Sequence, residues 1–176
     1  MNYTESLAYL DSLGKFGIKL GMERIEGLLR ELGNPEQKIK TVHVTGTNGK
    51  GSVTSMITNI LLAANLKVGK FTSPHLVKYN ERINLNGKDI SDEDFATAIT
   101  AVKVAADSVV KKGVCEQPTQ FEILTAAAFL YFYLQKVDYA VIEVGMGGLW
   151  DSTNVITPVV SVITNVALDH TDRCGK

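Results

Sequence analysis

The run Val42-His43-Val44-Thr45-Gly46-Thr47-Asn48-Gly49-Lys50-Gly51-Ser52 constrains the fold most, because an apolar stretch passes through a glycine-rich turn directly into a helical pattern. A strand, a tight turn and a helix in that order make a phosphate-binding loop. Glycines let the backbone curl so that several N–H groups point inward, and the positive end of the following helix adds to the attraction for an anion. Lys50 supplies a point charge for outer phosphates and Ser52 a hydroxyl for a magnesium ion. From Val53 onward, Val53, Met56, Ile57, Ile60, Leu61 and Ala64 recur at helical spacing, which predicts the helix such a loop needs. The run departs from the general G-x-x-x-x-G-K-[ST] pattern, with Val44 at the first glycine position and Gly51 directly after the lysine. Taken alone, it also fits an ordinary glycine-rich strand-to-helix turn.

The 176 residues, 45% hydrophobic, are enough for one well-buried core. A formal net charge of -1 and a pI near 6.3 argue against a general nucleic-acid binder, which needs a basic face for phosphates. The most apolar stretch, Leu124 to Leu134, is far short of a membrane span and predicts a buried helix, so no membrane partner is expected. Glu5 and Asp11 interrupt the N-terminus where a signal peptide needs an apolar core, so a cytoplasmic location is expected. Cys115 and Cys174 lack metal-ligand spacing and fit reduced thiols.

Early in the chain, Met22, Ile25, Leu28, Leu29 and Leu32 form one apolar helical stripe, stopped by Gly33 and Pro35. Strands are predicted at Thr41 to Thr45, Lys67 to Thr72, Asp138 to Val144 and Val159 to Val166, separated by helical segments. This alternation predicts an α/β fold with a mostly parallel sheet. Ser91 with Asp94 and Thr119 with Glu122 resemble capping boxes opening two helices, and the alternation around Asn86-Gly87 signals a small β-hairpin. Few residues follow Val166, whereas another crossover to a parallel strand takes about 10–12. The sheet is therefore expected to stop early, as in a truncated domain with one face thinly covered.

In an open α/β sheet, ligands sit beyond the carboxyl ends of the strands. There the first strand delivers the glycine loop, the second Thr72-Ser73-Pro74-His75, the third Glu143 and the fourth Asp169-His170. A carboxylate late in an apolar strand is unfavourable unless a cation or hydrogen-bond donors meet it. Glu143 therefore reads as a magnesium carboxylate, or as a strand-end carboxylate that caps a helix or pairs with a lysine. Ser73 and His170 are uninformative singly; their convergence with the loop is what points to nucleotide phosphates and magnesium. Gly145, Gly147, Gly148 and Asn154 place a second flexible turn near the same edge.

Read together, Thr45 to Ser52, Thr72-Ser73-Pro74-His75, Asn80-Glu81-Arg82-Ile83, Thr119-Gln120-Phe121-Glu122, Glu143-Val144-Gly145-Met146-Gly147-Gly148, Asp151-Ser152-Thr153-Asn154 and Asp169-His170 closely resemble the folylpolyglutamate synthase/dihydrofolate synthase family of the Mur ligase superfamily. The resemblance runs in order along essentially the whole chain and accounts for the unusual loop spacing. It implies a Mur-ligase-type ATPase domain and ATP-dependent amide ligation. ATP would phosphorylate a carboxylate of a dihydropteroate or folate substrate, and the amino group of L-glutamate would attack the acyl phosphate. It further implies that Thr47, Asn48, Gly49, Lys50, Gly51 and Ser52 hold the ATP phosphates, with Lys50, Glu143 and His170 catalytic. Ser73, Glu143 and His170 would hold Mg2+. The pteridine or p-aminobenzoate part would meet Lys19, Leu20, Gly21 and Met22, Thr119, Gln120, Phe121 and Glu122, and Trp150, Asp151 and Ser152. The loop from Ser73 to Arg82 is expected to move over the site.

Leu149 stands where many relatives carry an arginine, and Cys174 where leucine is more usual. On the same resemblance, residues 1–176 are expected to be an incomplete N-terminal ATP-binding domain. A C-terminal glutamate-ligase domain, a modified lysine and the adenine-binding segments would lie outside them, and the parent enzyme would be monomeric. Two other readings stay open: a non-catalytic ATP-binding remnant, and a fragment of a cell-wall Mur ligase acting on a UDP-sugar peptide.

Overall fold

The computed structural model describes residues 1–14 and 21–168. Along the chain come α1 (Tyr3–Leu13), α2 (Glu23–Glu31), β1 (Thr41–Thr45), α3 (Lys50–Ala63), β2 (Val68–Phe71), β3 (Ile83–Leu85), β4 (Lys88–Asp89), α4 (Asp92–Lys111), α5 (Gln120–Leu134), β5 (Tyr139–Glu143) and β6 (Val160–Ile163). The strands form one sheet in the order β4-β3-β2-β5-β1-β6. β2, β5, β1 and β6 run parallel, with Val44 opposite both Glu143 and Val162. The sheet is thus mostly parallel, as the alternating pattern predicts. β3 and β4 form the antiparallel edge hairpin. Asn86 (φ 51°) and Gly87 (φ 78°) supply the two left-handed residues of its turn. Asn86 also grips the start of β2, accepting from the Val68 N–H at 2.8 Å and donating to the Val68 carbonyl at 2.9 Å.

Helices cover both sheet faces. On one, Val42, Val44, Val68 and Val141 pack under Val53, Ile57, Leu61 and Leu62 of α3. The apolar residues that announce α3 do not all lie on its packed side, however: Met56 and Ile60 are 63% and 68% exposed, and the fully buried positions are Thr54 and Thr58. The phosphate loop fixes where the helix leaves the sheet, and that direction turns its small β-branched residues inward. Thr58 satisfies its hydroxyl by donating to the Thr54 carbonyl at 2.8 Å, whereas the Thr54 hydroxyl is buried without a hydrogen-bond partner among the described residues.

On the other face lies the larger core. Here α5, apolar all round, sits between the sheet and α4, α1 and α2 and is buried along most of its length. Ile123, Leu124, Phe129 and Phe132 are at most 1% exposed, each contributing about 1.5–3 kcal/mol of transfer free energy. Phe132 lies so close to β2 that a Cβ on Gly69 would stand 2.6 Å from its ring. The predicted capping box of α5 is complete, Thr119 and Glu122 each bonding the other's backbone N–H. At α4 only half of the predicted box forms: Ser91 accepts from the Asp94 N–H at 3.0 Å. Among the described residues no helix is long and apolar enough to cross a membrane.

Candidate active site at the carboxyl ends of the parallel strands

The glycine loop leaves β1 with Gly46 at φ 135° and enters α3 through Gly49 at φ 81°, both in the left-handed half of φ that glycine tolerates. The segment after β6 braces it. Asn165 bonds the loop from both its backbone and its side chain, accepting from the Thr47 N–H at 3.0 Å and from the Asn48 N–H at 2.9 Å. Thr164 Oγ1 donates to the Asn48 carbonyl at 2.7 Å, and Thr47 Oγ1 exchanges bonds with the backbone of Ala167. A Cβ on Gly46 would stand 2.0 Å from Thr164 Oγ1, so only glycine fits. Lys50 Nζ donates to the carbonyls of Gly46 (2.8 Å) and Thr47 (3.2 Å), folding over its own loop. In sequence, Thr164 and Asn165 fall at the tail of the predicted strand Val159 to Val166, whereas the strand ends at Ile163. The available signal was a polar pair interrupting that apolar run.

Glu143 ends β5 beside this loop. Its carboxylate is buried, with its oxygens 3.6 Å from where a Cβ on Gly51 would stand. Burial pushes its pKa up, opposed by the Ser73 N–H, which donates at 3.2 Å, and by the charges of Lys50 and Lys70. A desolvated carboxylate facing a glycine, with a serine hydroxyl residue as neighbour, is a donor set that fits a hard oxygen-seeking cation such as magnesium. Ser73 and Glu143 are therefore brought together, whereas His170 and Asp169 lie outside the described residues. Among those described, no three of His, Cys, Asp and Glu cluster as a metal site. A cation beside Glu143 would take its remaining oxygens from hydroxyls, phosphates or water.

Of the three segments singled out for substrate, two meet around Gly145. A Cβ there would stand 2.5 Å from the Phe121 ring and 2.9 Å from Asp151 Oδ2, so the start of α5 and the Trp150–Ser152 segment close on one turn. Asp151 Oδ2 accepts from the Met146 N–H at 2.8 Å, while Oδ1 accepts from Thr153 Oγ1 at 2.6 Å and the Thr153 N–H at 3.0 Å. Behind them stands His43 of β1, which in sequence is only one residue of a strand; its Nε2 lies 2.8 Å from Thr153 Oγ1. Burial lowers the His43 pKa, partly offset by the Asp151 charge. Thr45, two residues along β1 and so on the same face, donates to the Gly147 carbonyl at 3.0 Å. Ser152 is buried, and Trp150 is 54% exposed at the rim.

Further contacts tie these segments to the elements around them. Glu122 accepts from Arg24 Nε at 3.1 Å on both oxygens and from the Thr119 N–H, tying α2 to α5 in a buried ion pair. Gly21 (φ 124°) and Met22 lead into α2; Lys19 and Leu20 lie outside the described residues. Gln120 Nε2 donates to the Leu10 carbonyl and to Tyr79 Oη. In the loop from Ser73 to Arg82, Glu81 accepts from the N–H groups of Leu76, Val77 and Lys78 at 2.7–2.8 Å, which holds its carboxyl below the usual carboxylate range. That clamp leaves Leu76 and Val77 exposed at the tip. Arg82 Nε donates to His75 Nδ1 at 2.8 Å.

Residues 44–176 match the Mur ligase middle domain. The folylpolyglutamate synthase of Lacticaseibacillus casei is 46% identical over 99% of this chain and 41% of its own length. The dihydrofolate synthase/folylpolyglutamate synthase of Bacillus subtilis (strain 168) is 44% identical over 99% of the chain and 40% of its own length. A solved FPGS–AMPPCP–folate complex superposes with a TM-score of 0.92 at 46% identity, covering 100% of this chain and 43% of that one. The chain thus spans about two fifths of the length of the relatives it matches.

Proposed function

The chain belongs to the Mur ligase family, on its folylpolyglutamate synthase/dihydrofolate synthase branch; from this premise we propose that it forms the N-terminal ATP-binding part of a ligase that adds L-glutamate to tetrahydrofolate, and also to dihydropteroate. A glutamate-ligase domain outside residues 1–176 would complete the enzyme, which would act in the cytoplasm. The observation that carries this reading is the glycine loop with Lys50, set beside the buried Glu143 carboxylate, in a chain so similar to enzymes of that name.

Thr47 to Ser52 hold the ATP phosphates, with the backbone N–H groups from Gly49 to Ser52 as donors because those of Thr47 and Asn48 are taken by Asn165, and Lys50 leaves the carbonyls of Gly46 and Thr47 to neutralise charge on the transferred group. Glu143, with the hydroxyls of Ser73 and Ser52 and with His170, would hold magnesium, which when bound neutralises phosphate charge. The pterin- or p-aminobenzoate-bearing substrate lies on the wall made by Phe121, the Gly145 turn and Trp150–Ser152. Its carboxylate takes the γ-phosphoryl group, which turns a carboxylate oxygen into a leaving group. The glutamate amine then displaces phosphate and forms the amide. This ordering is supported by the glycine loop and the Gly145 turn following the neighbouring strands β1 and β5.

Calorimetric titration of the chain with magnesium-ATP, and separately with dihydropteroate, tests the reading. Binding of both is expected, with Lys50→Ala reducing magnesium-ATP affinity by about 100-fold, the loss of one strong charge-assisted contact. Identical ATP affinity in the wild type and Lys50→Ala, or no heat with either ligand, overturns it.

A further inference from the structure

Donor counting along His43, Thr153 and Asp151 leaves one arrangement of protons. Asp151 gathers three donors, the Met146 N–H on Oδ2 and the Thr153 N–H and hydroxyl on Oδ1, and as a carboxylate it only accepts. The Thr153 hydroxyl has a single proton, and at 2.6 Å that proton goes to Asp151. Its oxygen is then the acceptor for His43, whose Nε2 must carry the hydrogen across 2.8 Å. All three residues are buried, so each unmade bond in the chain would leave a desolvated polar group unsatisfied.

We propose that His43 is a positioning residue. Through the Thr153 hydroxyl it fixes the Asp151 carboxylate, and through Asp151 the Met146 amide and the Gly145–Gly148 turn, as the wall that receives the pterin- or p-aminobenzoate-bearing substrate; this last clause rests on the function proposed above. Strand β1 thereby serves two subsites at once. It runs into the phosphate loop at its carboxyl end, while His43 and Thr45, on one face of it, hold the neighbouring turn from within. Burial keeps the imidazole neutral, which suits a fixed donor better than a titrating one.

Imidazole nitrogen NMR of the 176-residue chain reads the tautomer, with the His43 signals identified by their loss in His43→Gln. The Nε2–H form is expected, and an Nδ1–H form overturns the proposal. His43→Leu and Thr153→Val each cut the chain of bonds while keeping bulk. Exchange of the Met146 amide is expected to quicken about tenfold relative to the amides of β5, and dihydropteroate affinity to fall about tenfold, with magnesium-ATP affinity unchanged. His43→Gln, which presents an N–H at the same reach, and Thr153→Ser restore both quantities. A purely structural histidine would instead lower the melting temperature and weaken both ligands together, without rescue by glutamine or serine, and that result overturns the proposal. If the wild-type chain binds no dihydropteroate, the proposed substrate is wrong, while the tautomer and the Met146 exchange still decide what His43 does.

Discussion

Among the described residues, buried charged side chains are either matched by partners or held short of them. Arg24 and Glu122 match each other; the less buried Glu81 is likewise met by three backbone N–H groups. Glu36 is the contrary case. It is 5% exposed beside a pocket of about 280 Å³, with Oε2 lacking a partner, and burial raises its pKa. The folded chain therefore keeps the Glu36 proton to a higher pH than the unfolded chain does. Stability from this group is full below the unfolded carboxyl range and declines as pH rises through the elevated folded value. Glu36→Gln cannot ionise and removes the decline. By urea unfolding, the variant is expected to exceed the wild type by about 1 kcal/mol at neutral pH, with the gain vanishing toward about pH 4. A gain that is constant across that range would show that ionisation of Glu36 is not its source. Glu143 has the same upward shift but sits beside Lys50 and the phosphate loop, where a cation would relieve it.

At the scale of elements, helix-on-sheet distance is set by small residues. Gly69 in β2 admits Phe132 of α5, so Gly69→Ala places a methyl 2.6 Å from the ring and is expected to destabilise by about 1–3 kcal/mol. Phe132→Leu destabilises alone, yet the double variant Gly69→Ala/Phe132→Leu should be more stable than the sum of the single effects; strict additivity would place the strain elsewhere. Features governed by nearby residues were legible in sequence. The Thr119–Glu122 box, the Asn86-Gly87 turn and the Val-rich strands depend on chemistry within a few positions, and each appears where expected except that β6 ends at Ile163, short of Val166. What depends on meeting a distant segment was not legible. The rotation of α3 that buries Thr54 and Thr58 follows from the loop anchoring it, and the role of His43 follows from Thr153, 110 positions away. In the loop from Ser73 to Arg82, composition marks a turn, whereas the three-bond clamp on Glu81 emerges only when the chain is folded.

For the whole molecule, the strand order places β6 at an edge, with Val159, Val160 and Ile163 each more than half exposed. Such an edge offers unpaired backbone and apolar side chains to another chain. Sedimentation velocity is expected to show mass rising with concentration for the wild type and constant monomer mass for Val160→Lys/Ile163→Lys; a wild type that stays monomeric at every concentration would show the edge to be innocuous. The phosphate loop carries a different consequence at this scale. Thr47 is tied to Ala167 across 120 positions, and Ser73 to Glu143 across 70. Loop entropy opposes these closures until the rest of the sheet is in place, so they are expected to form late. A competent loop is thus a signature of completed folding. An occupied loop would hold closed the longest-range hydrogen bonds among the described residues, and so slow the escape of the whole sheet from its folded state as well as the loss of the nucleotide.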